Sequence, residues 1–231
     1  MKTILCIVMS VVYLALATDK QYPDSCSTAT ASGIYKIQVG DQILSVYCEA
    51  GYEGNPWLVI QRRSDISVNF YRNWAAYKQG FGELDKSFFI GLDTLHLLTT
   101  SQPHELYVHL QDFEGQTRYA SYDLFAIGSE ADSYSLNTLG NYSGTAGDGL
   151  KFHQYVKFST YDRDNDDSVR NSAVDYTGAW WYKTTHYSNL NGLYLKGDFD
   201  IDQVGRGITW YHWRGDQYSY KEVHMMIRPK K

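Results

Sequence analysis

The sequence predicts an α+β domain in which a mixed sheet with short helices gives way to a loop-rich C-terminal half. Three observations carry that expectation. The 231 residues include 21 tyrosines, 6 tryptophans and 19 glycines, a mix that suits sheets and loops better than helical bundles. Short apolar runs, several with a two-residue period, recur through the first half. After about Gly140, glycine, aspartate and aromatic residues dominate and periodicity fades until Gly215. Loops that long in a compact domain are usually functional or pinned by ions.

The chain opens with Lys2, an almost continuous apolar run over residues 4–16 and the small-x-small triplet Ala15-Leu16-Ala17, the pattern of an export signal. The run is too short for a comfortable membrane span. Residues 1–17 therefore read as a signal peptide, 18–23 as a short N-terminal segment, and the protein as secreted and extracellular. Loss of Lys2 makes the mature chain one unit more negative than the −5 of the whole, which argues against nucleic acid or an anionic membrane as partner. Cys6 leaves with the signal. Cys26 and Cys48 remain and in an oxidising compartment most simply pair, a closure worth on the order of 3 kcal/mol.

Residues 34–39 and 43–48 are two strand-like runs separated by Gly40-Asp41, a hairpin signal. Residues 57–62 form a third strand. Asn73 is placed to cap a short helix through Trp74, Tyr77 and Lys78 that Gly80 stops. Asp93 is expected to cap the segment presenting Leu95 and Leu98. Residues 105–111 alternate cleanly, with Leu106, Val108 and Leu110 on one face, and 118–127 read as a further strand. Residues 218–228 close the chain as a final strand. There is no internal repeat, heptad run or Gly-X-Y tract.

The most informative stretch is Asp162-Arg163-Asp164-Asn165-Asp166-Asp167-Ser168. Calcium wants six to eight oxygens from carboxylates, carbonyls and water, and alternate aspartates in an irregular loop can converge on one ion. An EF-hand is excluded, since the sixth position is Asp167 and not glycine, and the twelfth is Ala173 and not glutamate. On these residues alone a calcium site and a solvated acidic loop stand about level.

Weaker signals point elsewhere and do not hold. His104-Glu105 and His109 miss the i, i+4 spacing of a zinc protease helix by one residue, and Gly140-Asn141-Tyr142-Ser143-Gly144 places its serine wrongly for a nucleophile elbow. Arg214-Gly215-Asp216 has the form of an integrin tripeptide, but a tight turn selects Gly and Asp for backbone reasons alone. Asn141-Tyr142-Ser143 is an acceptor sequence for an N-glycan on Asn141. No catalytic machinery is expected.

The strings Phe158-Ser159-Thr160-Tyr161-Asp162-Arg163-Asp164-Asn165-Asp166, Tyr176-Thr177-Gly178-Ala179-Trp180-Trp181-Tyr182 and Ser188-Asn189-Leu190-Asn191-Gly192 closely resemble the fibrinogen C-terminal domain. Trp57-Leu58-Val59-Ile60-Gln61-Arg62-Arg63, Gly80-Phe81-Gly82-Glu83-Leu84, Asp112-Phe113-Glu114-Gly115 and the terminal Met226-Ile227-Arg228-Pro229 belong to the same pattern. The order and spacing of these strings together are very specific. The resemblance covers residues 24–229, and within the family the chain looks most like the tachylectins and ficolins, innate-immune lectins for acetylated ligands.

That resemblance implies a fibrinogen C-terminal-like globule in three parts. They are an N-terminal hairpin subdomain (about 24–65), a central sheet subdomain (66–140 plus 218–229) and a calcium- and ligand-binding subdomain (141–217). By motif position it implies calcium held by the side chains of Asp164 and Asp166 and the carbonyls of Ser168 and Arg170, with Asp162 and Asp167 nearby. It further implies an acetyl pocket beside the ion, with Tyr176 as one wall and the backbone N–H groups of Thr185 and His186 as donors. The Thr184–Thr185 peptide would be cis, a state costing about 3–4 kcal/mol.

Three departures from the family pattern matter. Ser172 and Thr185 stand where a second disulfide would be, the 197–207 loop carries Phe199 but no tyrosine, and no collagen stalk is present. The expected partners are acetylated glycans of the N-acetylglucosamine type, with self-association into homo-oligomers left open. A protein-interaction module that kept the fold and the ion but lost the sugar pocket is the alternative.

Overall fold

A computed structural model describes residues 21–52 and 56–230; the expected signal peptide at 1–17 and residues 18–20 lie outside the described residues. Gly33–Val39 (β1) and Gln42–Glu49 (β2) pair antiparallel across a turn in which Gly40 has φ +58°, a conformation glycine adopts without strain. Ile37, Val39, Val46 and Cys48 face inward and Lys36 and Ser45 outward, so alternation places the hairpin. The Cys26–Cys48 disulfide is formed, with its Cα atoms 5.6 Å apart. It staples the chain's N-terminal end to β2.

Trp57–Arg63 (β3) is buried along its whole length, which explains its continuous apolar start. Trp74–Gln79 (α1) begins where Asn73 accepts a hydrogen bond from the Ala76 N–H at 3.0 Å, and it stops at Gly80, as the sequence predicts. The second helix, Leu92–Ser101 (α2), corrects one expectation. Its N-cap is Gly91, and Asp93 lies inside the first turn, where it accepts from the Tyr134 hydroxyl. A Cβ on Gly91 would sit 2.7 Å from the Gln79 backbone. The exit of α1 and the entrance of α2 therefore touch backbone to backbone, and only glycine fits there.

His104–Gln111 (β4) alternates with His104, Leu106, Val108 and Leu110 buried, which puts His104 and His109 on opposite faces. Thr117–Tyr122 (β5) and Tyr142–Gly144 (β6) extend the sheet beyond it. The single strand expected over 118–127 is broken. Asp123 turns away to accept from the Asn141 N–H at 2.5 Å, and Phe125–Ala126 pairs with Thr138–Leu139.

The closing strand is also two. Tyr218–Ser219 pairs with Gly197–Asp198 in the loop-rich half, and Glu222–Pro229 (β7) runs up the middle of the main sheet between β3 and β4. The order is β1-β2-β3-β7-β4-β5-β6, antiparallel throughout, with the short strands Phe81–Gly82 and Phe88–Phe89 off β3. The fold is thus α+β, as expected.

Residues 145–217 carry only elements of two to four residues, yet they have their own aromatic core in Trp180, Trp181, Tyr182 and Trp210. Polar side chains of the buried β3 tie this half to the sheet. Gln61 Nε2 donates to the Leu190 carbonyl at 2.9 Å and to Asn191 Oδ1 at 3.1 Å. Arg63 donates to the carbonyls of Leu190 and Gly192 at 3.0 and 2.8 Å. No helix among the described residues is long and apolar enough to cross a membrane.

Candidate functional site

The acidic loop is ordered by its own side chains. Asp162 Oδ1 accepts from the Trp74 N–H at 2.9 Å and from Thr160 Oγ1 at 2.7 Å, so this carboxylate fastens the loop to α1. Asn165 Nδ2 donates to the Phe158 carbonyl at 2.8 Å. Asp166 lies half-buried under the loop and accepts from the Ser168 N–H at 2.7 Å and the Ser172 N–H at 2.8 Å. Asp164 stands exposed beside it and accepts from the Asp166 N–H at 3.2 Å. Burial pushes the Asp166 carboxyl up, helped by the neighbouring charge of Asp164 and opposed by the backbone N–H groups. Asp167 points its side chain outward and donates its N–H to the Lys183 carbonyl at 3.1 Å.

Among the described residues no three His, Cys, Asp or Glu side chains converge as a metal cluster. A calcium ion here would need the mixed set that the resemblance implies, two carboxylates with main-chain oxygens. The main-chain part of that set is available, because no protein hydrogen bond is made to the Ser168 or Arg170 carbonyl among the described residues. The donor chemistry therefore fits a hard cation that completes its shell with water.

The Asp167–Lys183 hydrogen bond joins this loop to residues 183–186. Thr185 is exposed and His186 buried. Neither of their N–H groups donates to a protein acceptor among the described residues. The Tyr176 ring meets the His186 ring edge-on at 4.5 Å, and Tyr182 backs both at 5.9 Å. Burial, with His153 behind it, holds His186 down near 3, so the ring is neutral at physiological pH. The acidic loop, Tyr176 and the Thr185–His186 backbone are thus joined through the Asp167–Lys183 hydrogen bond and the Tyr176–His186 ring contact.

The cis geometry is not adopted, since no peptide bond among the described residues is cis. Trans is the default for a non-proline bond by about 3–4 kcal/mol. Here Thr185 is solvent-exposed, with the Lys183 N–H to Thr185 carbonyl turn as its backbone contact, and Ser172 and Thr185 carry no sulfur to clamp it.

Three positions escaped sequence reasoning. His153 is fully buried, 33 positions before His186 in the chain. Its Nδ1 donates to the Trp181 carbonyl at 2.7 Å, and its Nε2 accepts from the Tyr187 and Ser188 N–H groups at 3.1 and 3.3 Å. One imidazole thereby fixes the backbone on the far side of His186, and no local motif announces it. Asn189 accepts from the Tyr182 hydroxyl at 2.6 Å and donates to the Gly205 carbonyl at 3.0 Å. Gly205, with φ +73°, lies against the wall so closely that a Cβ would come within 2.9 Å of His186 Nε2 and 3.0 Å of the Tyr176 ring. Phe199, the aromatic of that loop, packs instead against Gly207. Tyr182, not a residue of the 197–207 loop, completes the aromatic cluster.

Elsewhere, Arg214 of the Arg-Gly-Asp tripeptide is engaged by the buried Asp112 and by Glu114. Asn141 precedes the edge strand β6, its Nδ2 donating to Asp123 Oδ2 at 3.3 Å.

The family described as fibrinogen beta and gamma chains, C-terminal globular domain, matches residues 21–230. The chain is 45% identical over 203 residues to Ryncolin-4 of Cerberus rynchops, covering 87% of this chain and 58% of that protein. It is 48% identical over 189 residues to fibrinogen C domain-containing protein 1 of Mus musculus, covering 80% of this chain and 40% of that one. It therefore spans less than two thirds of the length of these relatives. The solved lamprey fibrin D-dimer, complexed with the peptide Gly-His-Arg-Pro-amide, superposes with a TM-score of 0.83 at 32% identity, covering 97% of this chain and 79% of that one.

Proposed function

The chain belongs to the fibrinogen C-terminal domain family, and on that premise we propose that it is a secreted, calcium-dependent, lectin-like recognition protein for acetylated carbohydrates. The observation that carries the reading is the junction of Tyr176, His186 and the acidic loop. An apolar aromatic wall stands beside two main-chain N–H groups without protein acceptors, tied to a carboxylate loop through Asp167 and Lys183. An acetyl group presents the complement, a methyl for the wall and a carbonyl oxygen for the donors. Asp164 and Asp166, with the carbonyls of Ser168 and Arg170, would hold calcium, which would supply the positive charge that relieves the Asp164–Asp166 repulsion. The protein's own residues do the rest: His153 orders the Tyr187–Ser188 backbone, and Gly205 leaves room for the rings.

Export rests on the apolar N-terminal segment and the Cys26–Cys48 disulfide, which suits an oxidising compartment. Asn141 is then the expected glycan acceptor, and innate immune recognition the expected setting. The second reading is a calcium-stabilised protein-interaction module without a sugar pocket. The lamprey structure favours it, since a protein of that fold is complexed with a short peptide. A glycan array probed with and without chelator separates the two. Calcium-dependent capture of N-acetylated sugars supports the lectin. Binding to proteins or peptides alone supports the alternative.

A further inference from the structure

We propose that the cleft between residues 66–71 and 192–195 is a second ligand site, one that takes the carboxylate of a small organic acid with a short apolar body. The cleft encloses about 280 Å³, at the low end of small-molecule pockets. Val68, Phe70 and Tyr71 line it from one segment, Gly192 to Leu195 from the other, and Arg63 from β3. It shares no residue with the acidic loop or with the Tyr176–His186 wall.

Arg63 is what makes this cleft more than a gap. It is 2% exposed, yet no carboxylate lies within ion-pair distance of it among the described residues. Arg62, Arg214 and Arg228 are paired with Glu49, Asp112 and Glu105. Both hydrogen bonds that the Arg63 guanidinium makes to protein come from one terminal nitrogen, to the carbonyls of Leu190 and Gly192. Its Cζ lies 3.8 Å from the centre of the Phe70 ring, and its Nε has no hydrogen-bond partner.

Desolvation lowers the guanidinium to about 10, which leaves it cationic at neutral pH. A buried cation with no carboxylate at ion-pair distance and an orphaned N–H is costly, and a bound anion relieves both deficits at once. A guanidinium with one edge free presents the planar fork that carboxylates match. Asp65 adds negative charge nearby, so a monoanion suits the site better than a doubly charged phosphate. The apolar sides, with Ile66 exposed close by, select a hydrocarbon body.

The test uses the isotope-labelled, calcium-loaded protein titrated with sodium benzoate and, in parallel, with the neutral isostere benzamide, followed by amide chemical shifts. Benzoate is expected to shift the amides of Val68, Phe70, Leu193 and Leu195 saturably, and benzamide to bind at least about tenfold more weakly, the loss that follows from giving up a charged hydrogen bond. Arg63→Met should abolish the response. Should that variant not fold, Val68→Trp fills the cleft while leaving Arg63 in place, and it too should abolish the response without altering the calcium response. The proposal is overturned if benzoate moves none of these amides, if benzamide moves them equally well, or if Val68→Trp binds benzoate as the parent does.

Discussion

Replacing His153 with glutamine should flatten the acid side of the protein's stability curve. His153 is fully buried and held near 4 by desolvation, against an ordinary histidine value of 6.5. The folded state therefore keeps the ring neutral, with Nε2 accepting from Tyr187 and Ser188, while the unfolded chain takes up a proton as pH falls through 6.5. Protons bind the unfolded state first, so stability is complete above about pH 7 and is lost progressively as pH drops toward 4. Between pH 7.5 and pH 5 the shift corresponds to about 2 kcal/mol. Glutamine can place its amide oxygen near the Nε2 position but leaves the buried Trp181 carbonyl without its donor. The variant should therefore start about 1–3 kcal/mol less stable at neutral pH. It should then lose about 2 kcal/mol less than the parent on acidification. Urea denaturation at both pH values reads both quantities. His109 is also held low but is present in both proteins and cancels in the difference. His186 is held low chiefly by burial, which the variant keeps, and only the smaller push from His153 is lost with it. Equal acid losses in parent and variant would show that His153 is not held neutral in the folded state.

The other predictions concern the candidate site and the tripeptide. Calcium should raise the melting temperature of the parent, and Asp164→Ala with Asp166→Ala should abolish that rise; a persisting rise places the ion elsewhere. Asp162→Ala should instead lower stability with or without calcium, because its carboxylate holds Trp74 and Thr160; differential scanning calorimetry with chelator distinguishes the two. N-acetylglucosamine should compete for ligand and glucose should not. Tyr176→Ala should cost about 1–3 kcal/mol of that binding, and Gly205→Ala should impair it by pushing His186 and Tyr176 apart while leaving the calcium response intact. Equal competition by both sugars would sink the acetyl reading. Arg214→Ala should destabilise the fold by about 1.5–3 kcal/mol through the buried Asp112, and a negligible effect on chemical denaturation would free the tripeptide for recognition.

Local signals were legible wherever one residue's neighbours decide its conformation. Asn73 and Gly80 bound α1 as read, and Gly40 turns the first hairpin. Where the deciding partner is distant, reading by pattern failed. Asp93 is a good cap by chemistry, but the backbone contact between Gly80 and Gly91 starts the helix two residues earlier. Residues 218–228 alternate like one strand, but Tyr218–Ser219 answers to Gly197–Asp198 and Glu222–Pro229 to β3 and β4. The chain must therefore break at Lys221, whose N–H goes to the Gln111 carbonyl.

The same division runs through the site. The linear sequence by itself determined the family, the disulfide and the acidic loop, and the resemblance pointed to Tyr176, Thr185 and His186, because those features follow ordered strings of residues. Only the tertiary structure decided that Asp162 is a fastener, that Tyr182 and not Phe199 backs Tyr176, that His153 holds the backbone beyond His186, and that Arg63 is buried with no carboxylate at ion-pair distance among the described residues. Each of these depends on contacts between residues far apart in the chain or on the water that packing excludes. A short-range pattern records neither, because desolvation and hydrogen-bond geometry exist only once the loops have closed around the sheet.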